Sequence, residues 1–391
     1  MKRTTSTLIY FTALGLLLRT GLADGTATTT TGIDWTVATK TKCNDRISRP
    51  LYMGGCTSDY ALVTASWIED LLCIDSEHNF GPSATPPSST DPSWQFFNTN
   101  FRISYQDIIC NCPACQSIQG NGCFGGDYAQ VLDYVVKNGV VGGADPSIVA
   151  SAKIDVSPNP KTADLGKFTR CLDYFLKPCS LVFTQGKIAA CAATYVQPEF
   201  NPYGSDCPLK CNYPKTSLQS GLRDTAANVN DTRSKTFITQ TFYKQQKSQS
   251  FSSSGSITTW MQQMESDVKK YPLLTTMKIY EDIYLNNGVD VYIQRSGNSM
   301  GTFTVKIVGF GSDATTGLDY WLVSVPFGDA VGATTKAGIV KVLKGVNHCN
   351  IEDSYFYADK PDSAKFVTGL VSKLPAPKPP TPAPSSSSKT R

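Results

Sequence analysis

Twelve of the thirteen cysteines fall between Cys43 and Cys211, and Cys349 stands alone. That distribution constrains the fold most. A dense set of cysteines in one half of a chain reads as a disulfide framework if the compartment is oxidising, and as metal ligands or thiols if it is not. The N-terminus indicates which. Lys2 and Arg3 form a basic n-region, Leu8 to Leu18 is a short apolar run, and Gly21-Leu22-Ala23 is a cleavage site of small residues. This is the pattern of a secretory signal peptide, and the run is too short to span a membrane. Twelve clustered cysteines then predict six disulfides, with one thiol left over. Zinc at Cys110, Cys112, Cys115 and Cys123 is the competing reading, but their spacing is not that of two matched CxxC pairs.

The remaining composition excludes more than it selects. The formal charge of +4 is spread along the 391 residues without a Lys/Arg block, so nothing argues for nucleic acid. No stretch after the signal approaches eighteen apolar residues, so no membrane span is expected. Asn230-Asp231-Thr232 is an N-glycosylation sequon that a secreted chain would expose.

The chain divides into a signal peptide, 1–23, a short linker, 24–32, a main domain, 33–373, and a Pro/Ser-rich tail, 374–391, which is expected to be disordered. Helix signals come first. Asp59 to Cys73 is apolar-rich, with Tyr60, Val63, Trp67 and Leu71 on one side, and Asp127 to Lys137 is a second segment. Ile257, Trp260, Met261, Met264 and Val268 repeat at helical spacing. After Pro272 the period changes to two. LLTTMKIY, TFTVKIVGF and GIVKVLKG alternate apolar with polar, and YWLVSVPF is a short apolar run. The sequence therefore predicts a helix-rich half followed by a strand-rich half.

Two motifs do not survive their context. GNSMG at 297–301 fits G-x-S-x-G but is followed by a strand pattern, where a nucleophile elbow needs a helix. GNGCFG at 120–125 fits G-x-G-x-x-G but follows a Cys/Pro loop where a dinucleotide site needs a strand. No cofactor and no metal are expected.

CTSDY at 56–60 is different. It fits C-G-[SA]-C-[WY] at its first cysteine, its serine and its aromatic residue, with Asp59 at the position of the nucleophile. Three longer stretches go with it: GNGCFGGDYAQVLDYVVKNGVVGG at 120–143, IYEDIYLNNGVDVYIQRSGNSMG at 279–301, and KVLKGVNHCNIED at 341–353. On these stretches the chain from about Ile33 to Lys373 resembles cathepsin B in the papain family of cysteine proteases. The resemblance implies an α+β, papain-like fold of two subdomains, a helical left half and an antiparallel β-barrel-like right half, with a cleft between them. It also implies pairing of Cys43 with Cys73, Cys56 with Cys123, Cys110 with Cys207, Cys112 with Cys115, Cys171 with Cys211, and Cys179 with Cys191.

The family mechanism uses a thiolate, a histidine that carries its proton, an asparagine that orients the imidazole, and a glutamine for the oxyanion. By position these fall on Asp59, Phe303, Val325 and Met53, so all four are replaced. The chain has two histidines. His348 matches a non-catalytic histidine of the family, and His78 lies far from either motif. His348 beside Cys349 is not expected to form a dyad, because neighbours on an extended chain point apart. Asp59 is expected to accept backbone N–H groups at a helix N-terminus. The loop from Cys179 to Cys191 lacks the histidine pair of the family's occluding loop, and 24–32 is too short for the family's propeptide. Residues 78–99 read as an insertion.

The resulting expectation is a secreted, catalytically inactive cathepsin B-like protein that binds a peptide, a protease inhibitor or a protein partner. The alternatives are a cysteine-type peptidase of weak or altered activity and a structural, disulfide-stapled extracellular protein. The compartment is extracellular, with a lysosomal or other endomembrane lumen as the second choice.

Overall fold

The strand-rich half is organised by period-two patterning and the helical half by one buried helix. The structure, a computed structural model, describes residues 32–37, 41, 43–80, 102–143, 174–176, 181–184, 187–190, 199–203, 207, 235–236, 238, 243–247, 254–333 and 336–358. Residues 1–23, most of the linker, positions 81–99 of the insertion, Cys171, Cys179, Cys191, Cys211, Asn230 and the tail lie outside them.

The helical half contains α1 (Asp59–Phe80), α2 (Tyr105–Asn111), a hairpin of β1 (Gln116–Ile118) and β2 (Asn121–Gly126), and α3 (Tyr128–Asn138). Asp127 caps α3 by accepting the Ala129 N–H at 2.8 Å, and Ser104 caps α2 through the Asp107 N–H. Then come β3 (Leu181–Thr184) and β4 (Lys187–Ala190), an antiparallel pair in the segment from Cys179 to Cys191. The strand-rich half follows: β5 (Lys244–Lys247), α4 (Ser254–Lys270), β6 (Leu273–Tyr280), β7 (Ser299–Ser312), β8 (Asp319–Ser324), β9 (Ile339–Leu343) and β10 (Ser354–Tyr357).

These strands form an antiparallel sheet in the order β9–β8–β7–β6–β10–β5, and Ile33–Asp34 adds a seventh strand by pairing with β7. That pairing explains Gly309. A Cβ there would lie 2.2 Å from the Ile33 carbonyl oxygen, so the incoming strand tolerates only glycine. Gly126 is comparable, with the Cys115 carbonyl oxygen 2.2 Å away and the Tyr60 ring 2.6 Å away. The molecule is α+β and disulfide-rich.

Four bridges are present among the described residues. Cys43–Cys73 ties the N-terminal segment to α1, and Cys56–Cys123 ties the loop before α1 to β2. Cys110–Cys207 anchors α2, and Cys112–Cys115 closes the turn that follows it. Cys349 is a free thiol.

Two details differ from the sequence reading. The pattern in α1 predicts one buried side, yet every residue from Asp59 to Cys73 is buried. The helix packs on β6 and β7 on one side and on α2, α3 and β2 on the other, so no face meets water. The alternation in TFTVKIVGF predicts a strand with one wet face, yet Phe303 to Phe310 are all buried. With α1 laid over the sheet, Thr304 and Lys306 sit in the interior.

Several buried polar groups are paired across these elements. The Lys306 ammonium lies 2.5 Å from Asp70 Oδ2 and 2.8 Å from Ser66 Oγ on α1, and both charged side chains are fully buried. The Trp67 and Trp35 indoles donate to the Pro272 and Val268 carbonyls. Buried Glu352 accepts from the Trp321 indole at 2.8 Å, from the Gly345 N–H at 2.7 Å and from the Asn347 N–H at 2.5 Å. Truncating it strands three donors. Glu352→Ala is therefore expected to cost at least about 1–3 kcal/mol, the penalty for one unsatisfied buried group. Urea unfolding followed by tryptophan fluorescence would show this as a lower midpoint, and an unchanged midpoint would contradict it.

Candidate functional site

The four positions singled out in sequence come together where α1 meets the sheet. The loop leading to α1 runs antiparallel to the segment after β8: the Met53 N–H donates to the Pro326 carbonyl at 3.2 Å, and the Gly328 N–H to the Leu51 carbonyl at 2.8 Å. Met53 thereby neighbours Val325, whose own N–H donates to the Gly338 carbonyl. Phe303, on β7, meets Phe327 edge to face with ring centroids 5.3 Å apart, and Phe327 meets Tyr284 at 5.6 Å. Asp59 closes the circle. Its Oδ2 accepts the N–H of Thr304, the residue after Phe303, at 2.7 Å.

Met53, Asp59, Phe303 and Val325 are each at most 6% exposed. Three of the four side chains are apolar. The fourth is a carboxyl already engaged by the Thr304 N–H and hydroxyl and by the N–H groups of Asp59 and Tyr60. Burial pushes this carboxyl above the ordinary carboxylate range, against the pull of those hydrogen bonds. The sequence reading placed Asp59 at the helix N-terminus accepting N–H groups. In the structure it also reaches across to the sheet.

Sequence reasoning missed the support beneath this centre. The Tyr174 hydroxyl donates to the Met53 carbonyl at 2.6 Å and lies 3.0 Å from Ser58 Oγ, fixing the loop before α1 from below. Nothing in the sequence around Tyr174 signals the contact, which spans 121 positions. Tyr52 was also unmarked. Its ring lies against Gly328, where a Cβ would come within 2.4 Å of it. The backbone of β3 packs beside the Gly328–Ala330 turn, so the hairpin from the Cys179–Cys191 segment borders the same centre.

The two discarded groups stay apart from it. Ser299 opens β7 on the surface, within a strand and not at a strand-to-helix elbow. His348 Nε2 accepts the Gln294 N–H at 2.9 Å, and burial holds the imidazole below its usual pKa despite Asp282. The Cys349 thiol is pushed up to about 12 by burial and by Asp282, so little thiolate exists near neutral pH. The reason for expecting no dyad needs correcting. Residues 347–350 are a tight turn, not extended chain, with Asn347, Cys349 and Asn350 at φ 51°, 55° and 61°. The His348 side chain does not serve Cys349 because Nε2 is taken by the backbone. The side chain of His78 lies outside the described residues. Among the described residues no cluster of His, Cys, Asp and Glu could hold a metal ion, and no helix is long and apolar enough to cross a membrane.

Comparison with known proteins gives the class. The model of the papain family cysteine proteases matches residues 183–359. Over those residues the chain is similar to the papain family. The curated proteins it resembles extend the similarity beyond those residues, and they are cathepsin B-like cysteine proteinases. It is 26% identical over 312 residues to cathepsin B-like cysteine proteinase 5 of Caenorhabditis elegans, covering 79% of this chain and 69% of the relative. It is 23% identical over 298 residues to cathepsin B-like cysteine proteinase 3 of the same organism, covering 76% of this chain but only 57% of the relative. Among solved structures, procathepsin B S9 from Trypanosoma congolense aligns with 84% of this chain and 76% of its own at 17% identity, with a TM-score of 0.47.

Proposed function

We propose that this is a secreted, catalytically inactive cathepsin B-like protein that acts by binding a peptide, a protease inhibitor or another protein in the cleft of a papain-like domain spanning 33–373. One observation carries the reading. Where α1 meets the sheet, the residues at the four positions of the family's machinery are a buried, hydrogen-bonded carboxyl and three buried apolar side chains. Acyl transfer by this family needs an exposed nucleophile, a base within hydrogen-bond reach and an oxyanion donor. Asp59 is neither exposed nor beside a base, Phe303 and Val325 carry no titratable atom, and Met53 offers the oxyanion no side-chain N–H. Cys349 is poorly ionised and is flanked by an imidazole whose Nε2 is occupied.

The compartment follows from the same chemistry. The signal segment 1–23 and the disulfides are those of an extracellular or lysosomal protein, where bridges persist. Asn230 carries a glycan.

The test is turnover. Mature protein from an oxidising host is incubated with a broad peptide library and, in parallel, with a thiol-directed cysteine-protease probe. No cleavage and no labelling are expected. Cleavage abolished by Asp59→Ala or by Cys349→Ser would overturn the reading and identify the nucleophile.

A further inference from the structure

Asn-x-Cys occurs twice in the chain, at Asn121-Gly122-Cys123 and at Asn347-His348-Cys349. An asparagine two positions before a serine or threonine is the acceptor for an N-linked glycan, the hydroxyl being part of what is recognised. A cysteine thiol sits at the same atom as the serine hydroxyl and is a weaker hydrogen-bond donor. It can take the hydroxyl's part only while it is a thiol, because a bridged sulfur carries no hydrogen. The structure separates the two copies on this ground. Cys123 is bridged to Cys56, and Asn121 Oδ1 accepts the Cys123 N–H at 3.1 Å within β2. Cys349 is a free thiol.

We propose that Asn347 is a further N-glycosylation site, on an Asn-x-Cys sequon that the free thiol of Cys349 keeps competent. The inference rests on the reading of the chain as secreted. The sugar is attached before the chain folds, so the fold has only to leave the asparagine Nδ2 at the surface. It does so. Asn347 lies in the tight turn of residues 347–350, at a left-handed φ of 51° that asparagine tolerates better than most residues. Its Oδ1 accepts the Glu352 N–H at 3.0 Å, which turns the side chain one way round. Its Nδ2 donates to Asp353 Oδ1 at 2.7 Å in an exposed contact. Val346, Asn350 and Asp353 around it are all exposed.

The transfer balances with one co-reactant, an oligosaccharide carried on a lipid diphosphate. Nδ2 forms a bond to the anomeric carbon, and the bond from that carbon to the diphosphate oxygen breaks. The lipid diphosphate leaves with the electron pair, and the amide releases one of its two protons. The amide keeps one N–H, which is what the contact with Asp353 requires. The glycosylated side chain therefore fits the turn as it stands, with the sugar projecting over exposed Val346.

The test is a site map of the sugar. The full chain is expressed in a eukaryotic secretory host, and the product is treated with peptide N-glycanase in heavy-oxygen water, which turns each sugar-bearing asparagine into a labelled aspartate. Mass spectrometry of peptides then reads Asn121, Asn230 and Asn347 separately. Label is expected at Asn347 and not at Asn121. Cys349→Thr, which supplies the stronger donor, is expected to raise occupancy of Asn347, and Cys349→Ala to abolish it. An unlabelled Asn347 in protein that has lost residues 1–23 and formed its disulfides would overturn the proposal. So would label that persists at Asn347 in Cys349→Ala, or label at Asn121 equal to that at Asn347. The wild-type map needs no variant, so misfolding of either variant leaves the proposal open to refutation. Retention of residues 1–23 with no labelled asparagine would instead overturn the secretory reading, and this site with it.

Discussion

Asp70→Ala is expected to destabilise the protein by about 3–5 kcal/mol, because it leaves the Lys306 ammonium buried without a partner. The ammonium has 2.5 Å and 2.8 Å contacts to Asp70 and Ser66 and no exposure to water, and a lone serine hydroxyl cannot replace a carboxylate. Folded domains are stable by only about 5–15 kcal/mol, so this change removes a large part of the margin. The paired change Asp70→Leu with Lys306→Met is expected to recover most of the loss, since apolar groups of similar volume carry no desolvation penalty. Denaturant unfolding of the two single variants and the double variant forms a double-mutant cycle. If the single variants cost no more than a surface pair, under about 1 kcal/mol, then the ion pair is not buried in solution as described.

Phe303→Ala is expected to cost a similar amount, about 3–5 kcal/mol, through the cavity left against Phe327. Phe303→His separates packing from chemistry. It places an imidazole where the resemblance aligns the family's histidine, but leaves it facing the Phe327 ring, with Val325 at the position aligned with the orienting asparagine. It is expected to destabilise the protein and to produce no turnover, because absence of one triad member costs about 10⁴–10⁶ in rate and the other members are still missing. Appreciable peptide cleavage by Phe303→His would mean that a nucleophile is already poised beside it, which would contradict the binding reading.

The fold was legible at the level of elements. Helix and strand segments came from period, and the end of α3 and the course of β6 fall close to where the patterns put them. Met53, Asp59, Phe303 and Val325 could be singled out because flanking stretches set the register of the resemblance. Exposure was not legible. An alternating strand such as TFTVKIVGF reads as half wet, and α1 reads as one-sided, because period reports which residues share a face but not what covers it. Lys306 is the plainest case. A lysine in a strand reads as a solvent-facing residue, and only the position of α1 over the sheet makes it a buried ion pair.

The sequence by itself determined the class of fold, the grouping of the cysteines in one half and the absence of a cysteine–histidine pair at positions 59 and 303, since each rests on residue identity and spacing. Tertiary structure alone decided that Asp59 turns to Thr304, that Tyr174 holds Met53, and that His348 gives its Nε2 to the Gln294 backbone. These are contacts between residues 54 to 245 positions apart, and a hydrogen bond's partner depends on where the chain returns in space, which no local pattern encodes.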